Sequence, residues 1–115
     1  MKKIKDYFFP DDDKTYDHYL TKYDHYQEAQ RNRALSYVKD FEVAVDCGAH
    51  VGLWSKDLSA YFKKIYCFEP IDIFFECLKA NVNNKNAIFV NKGLGNKLTK
   101  SKMILSISSE NSGLS

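Results

Sequence analysis

A chain of 115 residues, 44% hydrophobic and 28% charged with a net charge of +2, has room for one domain or part of one. Its lysines and arginines are interleaved with acids, so the charge gives no reason to expect nucleic acid as a partner. Met1-Lys2-Lys3-Ile4-Lys5 is basic but meets Asp11-Asp12-Asp13 before an apolar segment develops, which reads against a signal peptide, and no later run has membrane-spanning length.

Residues 1 to about 13 read as a ragged arm, with Phe8-Phe9-Pro10 as a docking patch. Residues 14–39 read as helical, because Tyr16, Tyr19, Leu20, Tyr23 and Tyr26 recur at helix spacing, as do Ala34, Leu35 and Val38. The tetrad Tyr-Asp-His-Tyr occurs twice there and sets His18 and His25 on one face. Seven residues of helix rise separate them by about 10 Å, too far to share one ion, so no metal site is expected. The division that follows is a helical extension over 1–40 and a ligand-binding domain over 41–115.

From Phe41 the pattern alternates. A strand over 41–46 leads to a helix over 51–62, whose inward stripe is Trp54, Leu58, Tyr61 and Phe62. A second strand runs from Ile65 to Glu69, and Pro70 opens a helix with Phe74, Phe75, Leu78 and Val82 facing inward. Asn81 to Asn86 is a polar turn cluster, Ala87–Val90 a third strand, and Met103–Ile107 a fourth. Repeated strand-helix-strand units imply an α/β fold: a Rossmann-like, doubly wound, mainly parallel sheet, incomplete at its C-terminal side. Cys47, Cys67 and Cys77 lack the spacing of a metal or disulfide framework, so Cys47 and Cys67 are expected as small apolar residues in or beside core strands, in a reducing, cytoplasmic setting.

The chemistry concentrates where the first strand ends, at Val45-Asp46-Cys47-Gly48-Ala49-His50-Val51-Gly52. Gly48 permits a sharp turn after the strand, and Gly52 lets the next helix pack closely. The N–H groups at that helix start face any ligand placed there. Glu69, at the tip of the neighbouring strand, is positioned to accept both hydroxyls of a ribose. The dinucleotide fingerprint needs a middle glycine where this chain has His50, which counts against NAD or FAD. Asp46 would repel a phosphate but suit an amino group, so an amino-acid-bearing nucleoside fits better.

These residues, with Phe68-Glu69-Pro70, resemble the class I S-adenosylmethionine-dependent methyltransferases and, within them, the FkbM-like family. Supporting stretches are Cys77-Leu78-Lys79-Ala80-Asn81-Val82, Gly93-Leu94-Gly95-Asn96 and Asn111-Ser112-Gly113, so the likeness runs over 41–115. The resemblance implies S-adenosyl-L-methionine as cofactor, held by Asp46, Gly48, Ala49, His50, Gly52, Glu69 and Pro70, with the loop at Asn91 near the adenine. It implies methyl transfer to a hydroxyl oxygen of a sugar or other small acceptor, with no catalytic base assigned. The chain departs from the family at His50, where an Asn is usual, and the family's domain extends beyond the motifs present. The alternatives are a non-catalytic half-domain completed by a complementary C-terminal chain or as a homo-oligomer, and, further off, a nucleotide-dependent oxidoreductase.

Overall fold

The structure, a computed structural model, describes residues 1–13, 27–96, 103–104 and 113–114. It begins not with a loose arm but with a hairpin of β1 (Lys2–Ile4) and β2 (Tyr7–Phe9), paired antiparallel. Two loop residues join them, and Lys5 adopts the positive φ of 53° that tight hairpin turns favour. Phe9 is fully buried and Tyr7 nearly so, against Val51, Leu53, Phe74 and Cys77. Of the docking patch Phe8-Phe9-Pro10, Phe9 and Pro10 are buried and Phe8 is half-buried. An alternating strand can send successive side chains to opposite faces, which a disordered arm cannot.

Helix α1 covers Glu28–Leu35, within the stretch expected to be helical, whose residues 14–26 lie outside the described ones. The tyrosine stripe and His18 and His25 lie outside the described residues. The parallel sheet has the order β3-β4-β5, from Val43–Cys47, Lys64–Phe68 and Ala87–Val90. Between them run α2 (Leu53–Leu58) and α3 (Asp72–Asn81). The three strands and two connecting helices fall where the sequence places them, although α2 is only six residues long. Asn86 ends this region by donating its Nδ2 to the carbonyls of Ser59, at 2.8 Å, and Phe62, at 2.7 Å.

Register decides which face is covered. Ala44, Ile65 and Ala87 lie abreast, as do Asp46, Cys67 and Phe89. Except for Asp46 they pack with Ala49, Leu78, Val82, Leu58 and Phe75 as one core cluster under α2 and α3. The opposite face leaves Val43 55% and Val45 57% exposed, with Ile88 also exposed. Helices therefore cover one face of the sheet among the described residues, where a doubly wound fold would cover both. Cys47 shares the open face and is exposed, unlike Cys67 and Cys77, which are buried free thiols. Its alternation with Asp46 puts it there.

The expected fourth strand takes a different course. Met103–Ile104 forms β6, which pairs antiparallel with β7 (Gly113–Leu114) in a separate two-stranded sheet. The free edge of β3 consequently has no partner strand among the described residues.

Candidate functional site

The site is built at the carboxyl end of β3. Cys47 ends the strand, and the chain then turns through two left-handed residues, Gly48 at φ 74° and His50 at φ 56°, before Gly52 at φ 92° starts α2. The N–H groups of Gly48 and Ala49 both donate to the Phe68 carbonyl at 2.9 Å, and Gly52 N–H donates to Ala49 at 2.9 Å. The turn is thereby tied to the end of β4. Gly52 is required by packing: a Cβ there would lie 2.9 Å from Leu78 Cδ1 and 3.0 Å from Val82 Cγ2. At Gly48 a Cβ would meet nothing within 4 Å, so that glycine leaves open space above its backbone.

Glu69 completes the tie from the other strand. Its Oε1 accepts the backbone N–H of His50 at 2.7 Å, and its Oε2 accepts the N–H of Ile71 at 2.9 Å. Glu69 is 4% exposed, and its own carbonyl accepts Asn91 Nδ2 at 2.8 Å. Burial pushes its carboxyl above the usual carboxylate range, the two N–H donors pull it back, and Asp46 adds to the rise. Each carboxylate oxygen can accept more than one hydrogen bond, so these backbone bonds do not exhaust Glu69.

Beside the turn is a cavity of about 380 Å³, within the range of small-molecule sites. Asp46, Gly48, Ala49 and His50 line it from the turn, and Leu53, Trp54 and Gln27 close it from α2 and the start of α1. Gly52, Glu69, Pro70 and Asn91 do not line it. The structure brings Glu69 and Asn91 to the turn by hydrogen bonds rather than through the cavity wall. Pro70 stands two residues ahead of α3 instead of opening it.

Asp46 is the charged group of the cavity. Its Oδ2 accepts the Ser55 hydroxyl at 2.5 Å, and Ser55 is itself fully buried. Burial raises the Asp46 carboxyl, the Ser55 bond lowers it, and no cation among the described residues contributes. A half-buried acid in a cavity without a counter-ion favours a cationic ligand group. The His50 ring lies against Phe74 at 4.1 Å between centroids, tilted by 42°, and burial lowers its imidazole to about 4 against a pull upward from Asp13. It is a neutral lining group at pH 7. Cys67 and Cys77 offer no thiolate, since burial raises both, Cys77 to about 11. Among the described residues no His/Cys/Asp/Glu group could hold a metal ion, and no helix is long and apolar enough to cross a membrane.

Gln27, Trp54 and Ser55 are the site residues that the sequence pattern does not single out. Trp54 falls in the expected inward stripe of its helix, yet it is only half-buried, and Tyr61 of that stripe is 55% exposed. Its position just after the glycine turn is the local signal that a large aromatic stands beside the cavity. Gln27 carries no such signal, being brought in by tertiary packing alone.

No family model and no curated protein matches the chain. Among solved structures it is similar to Trm5b from Pyrococcus abyssi, with 22% identity over 55% of this chain and 20% of that one, at a TM-score of 0.47. A protein assigned as a type II methyltransferase from Anaeromyxobacter dehalogenans gives 16% identity over 60% and 28%, at 0.48. One assigned as an S-adenosylmethionine dependent methyltransferase from Listeria monocytogenes gives 13% over 64% and 37%, at 0.49. The chain thus spans well under half the length of each.

Proposed function

We propose that the chain binds S-adenosyl-L-methionine in the cavity at the β3 turn and is the cofactor-binding part of a methyltransferase. The observation that carries this reading is Asp46, a half-buried carboxylate on the cavity wall that no cation among the described residues shifts, beside the open backbone of Gly48. An ammonium or sulfonium suits that surface, and a pyrophosphate does not.

When bound, S-adenosyl-L-methionine supplies a methyl group on a positively charged sulfur. The chain's residues then have separable tasks. Asp46 takes the ammonium, its carboxylate oriented by Ser55. Gly48 and Ala49 let the ligand approach the backbone, with the turn held to Phe68. Glu69 holds the turn by accepting His50 N–H from outside the cavity lining, and a ribose contact from it rests on the family resemblance alone. Asn91 secures the end of β4 through the Glu69 carbonyl; that its loop approaches the adenine rests on the family resemblance. Transfer to an acceptor oxygen requires that oxygen, the methyl carbon and the sulfur in line, which is a demand on positioning. The acceptor class, a sugar or other small hydroxylated molecule, rests on the resemblance of the motifs to the FkbM-like family.

A second reading has its own observation. The edge of β3, without a partner strand among the described residues, and the exposed Val43 and Val45 favour a half-domain that a complementary chain or a second copy completes before any transfer occurs. Both readings share the cofactor. Calorimetric titration of the chain with S-adenosylmethionine and with NAD tests it: binding of the first alone supports the assignment, whereas NAD alone, or neither, overturns it. A methyl-transfer assay with and without added partner chain then separates the two.

A further inference from the structure

The only buried residue of α1 is an arginine: Arg31 is 2% exposed, Leu35 is half-buried, and the rest of the helix is exposed. Arginine is almost never fully buried without a partner. Arg31 pairs with Asp57 near the end of α2 and stands over the Trp54 ring, 5.7 Å from its centroid. One helical turn earlier, Gln27 Oε1 accepts the indole N–H of Trp54 at 2.8 Å. Trp54 is thereby held at its ring by Arg31 and at its nitrogen by Gln27. Trp54 and Gln27 line the cavity together with Asp46, whereas Arg31 stands outside that lining.

From this arrangement we infer that Arg31 is a positioning residue for the ligand cavity, acting on it through Trp54. The inference rests on the S-adenosylmethionine reading for the identity of the ligand. A buried ion pair is a poor device for stability alone, since apolar residues of similar volume often serve as well. What an apolar residue lacks is direction. The planar guanidinium is fixed by the Asp57 carboxylate and lies over an aromatic ring, so it sets where that ring stands. The same contact docks α1 on α2, which brings Gln27 to its place beside Trp54. The rotational freedom of the indole is then given up in folding and not on binding, and a wall shaped beforehand binds more tightly. The amino-terminal helix is in this way tied to the cavity by one buried cation.

Trp54 is the one tryptophan of the chain, so its fluorescence reports this contact directly. The full chain, Arg31→Met and Arg31→Lys are compared by tryptophan emission and by calorimetric titration with S-adenosylmethionine. Asn86→Asp, which disturbs carbonyl contacts at Ser59 and Phe62, measures what global destabilisation alone does. Arg31→Met should move the emission to longer wavelength, as the indole gains water, and weaken binding about tenfold. Arg31→Lys keeps the charge for Asp57 but not the flat guanidinium, and should fall between Met and wild type. Asn86→Asp should leave both the emission and the affinity of the folded chain unchanged. A folded Arg31→Met chain that binds as wild type does, or a loss that Asn86→Asp equals, overturns the role of Arg31 and leaves the cofactor reading standing. If Arg31→Met does not fold, a Lys variant with wild-type emission and affinity overturns it in the same way. A wild-type chain that does not bind S-adenosylmethionine overturns both.

Discussion

The backbone N–H of His50 donates to Oε1 of Glu69 at 2.7 Å, joining the middle of the β3 turn to the residue that follows β4. Because Oε2 of the same side chain accepts Ile71 N–H at 2.9 Å, one buried carboxylate sets both the turn and the approach to α3. Glu69→Ala removes both acceptors and leaves the N–H groups without them, at roughly 1–3 kcal/mol for each donor stranded away from water. Glu69→Gln keeps one oxygen and sets an amide N–H against the other donor. The expected order of stability is wild type, then Gln, then Ala, with ligand affinity falling in the same order. Chemical denaturation and calorimetry measure the two series; an Ala variant as stable as wild type would sink the tie.

The glycines separate packing from binding. Gly52→Ala adds a Cβ against Leu78 Cδ1 and Val82 Cγ2 at a φ of 92°, so strain and overlap combine. A stability loss of about 2–4 kcal/mol is expected, read as a lower urea midpoint. Gly48→Ala carries only the strain of φ 74°, roughly 1 kcal/mol, because nothing lies within 4 Å. Its Cβ enters the space a ligand would use, so affinity should drop more than stability. The reverse ranking, with Gly48→Ala the less stable variant at undiminished affinity, would place the ligand elsewhere.

The parallel strands are legible because runs such as Ala87–Val90 are apolar, bounded by polar turns and short, and the pairing of a glycine turn with an acid one strand later is a local pattern. The hairpin is harder to read. Tyr7, Phe8 and Phe9 alternate as a strand, but the fact that Phe9 is buried under Val51 and Cys77 depends on residues far along the chain. The same reason hides Gln27 from the site, since its partner Trp54 belongs to another helix. Helical spacing also misplaces Trp54 and Tyr61, because α2 stops at Leu58, too short to keep one stripe inward.

Acid should loosen this site through His50. Its folded-state value of about 4 lies below the ordinary histidine value of 6.5, so the unfolded chain takes up the proton first. Stability is therefore intact above about pH 6.5 and lost as pH falls toward 4, at no more than about 1.4 kcal/mol per pH unit and less with solvent screening. Glu69 and Asp46 act oppositely: their raised values mean that protonation at low pH relieves a cost of burial. His50→Asn suits the left-handed φ of 56° and removes only the first contribution. Its loss of stability from pH 7 to 5 should be smaller than that of wild type; parallel curves would show that the imidazole does not govern the acid limb.

Asn81 joins the hairpin to the ligand turn. Its Oδ1 accepts Phe8 N–H at 2.6 Å, while its Nδ2 donates to the carbonyls of Phe8, at 2.9 Å, and Val51, at 2.7 Å. Asn81→Asp keeps the first bond and turns a charged oxygen toward two carbonyls, in a residue that is 2% exposed. Both stability and ligand affinity should fall, because Val51 follows His50 directly and moves with the turn. Asn86→Asp is the control: it disturbs the same kind of double carbonyl contact, at Ser59 and Phe62, away from the cavity. That variant should lose stability of a similar order, about 2 kcal/mol or more, while its folded fraction binds ligand as wild type does. Equal losses of affinity in the two variants would mean that binding follows global stability, and that Asn81 has no particular hold on the turn.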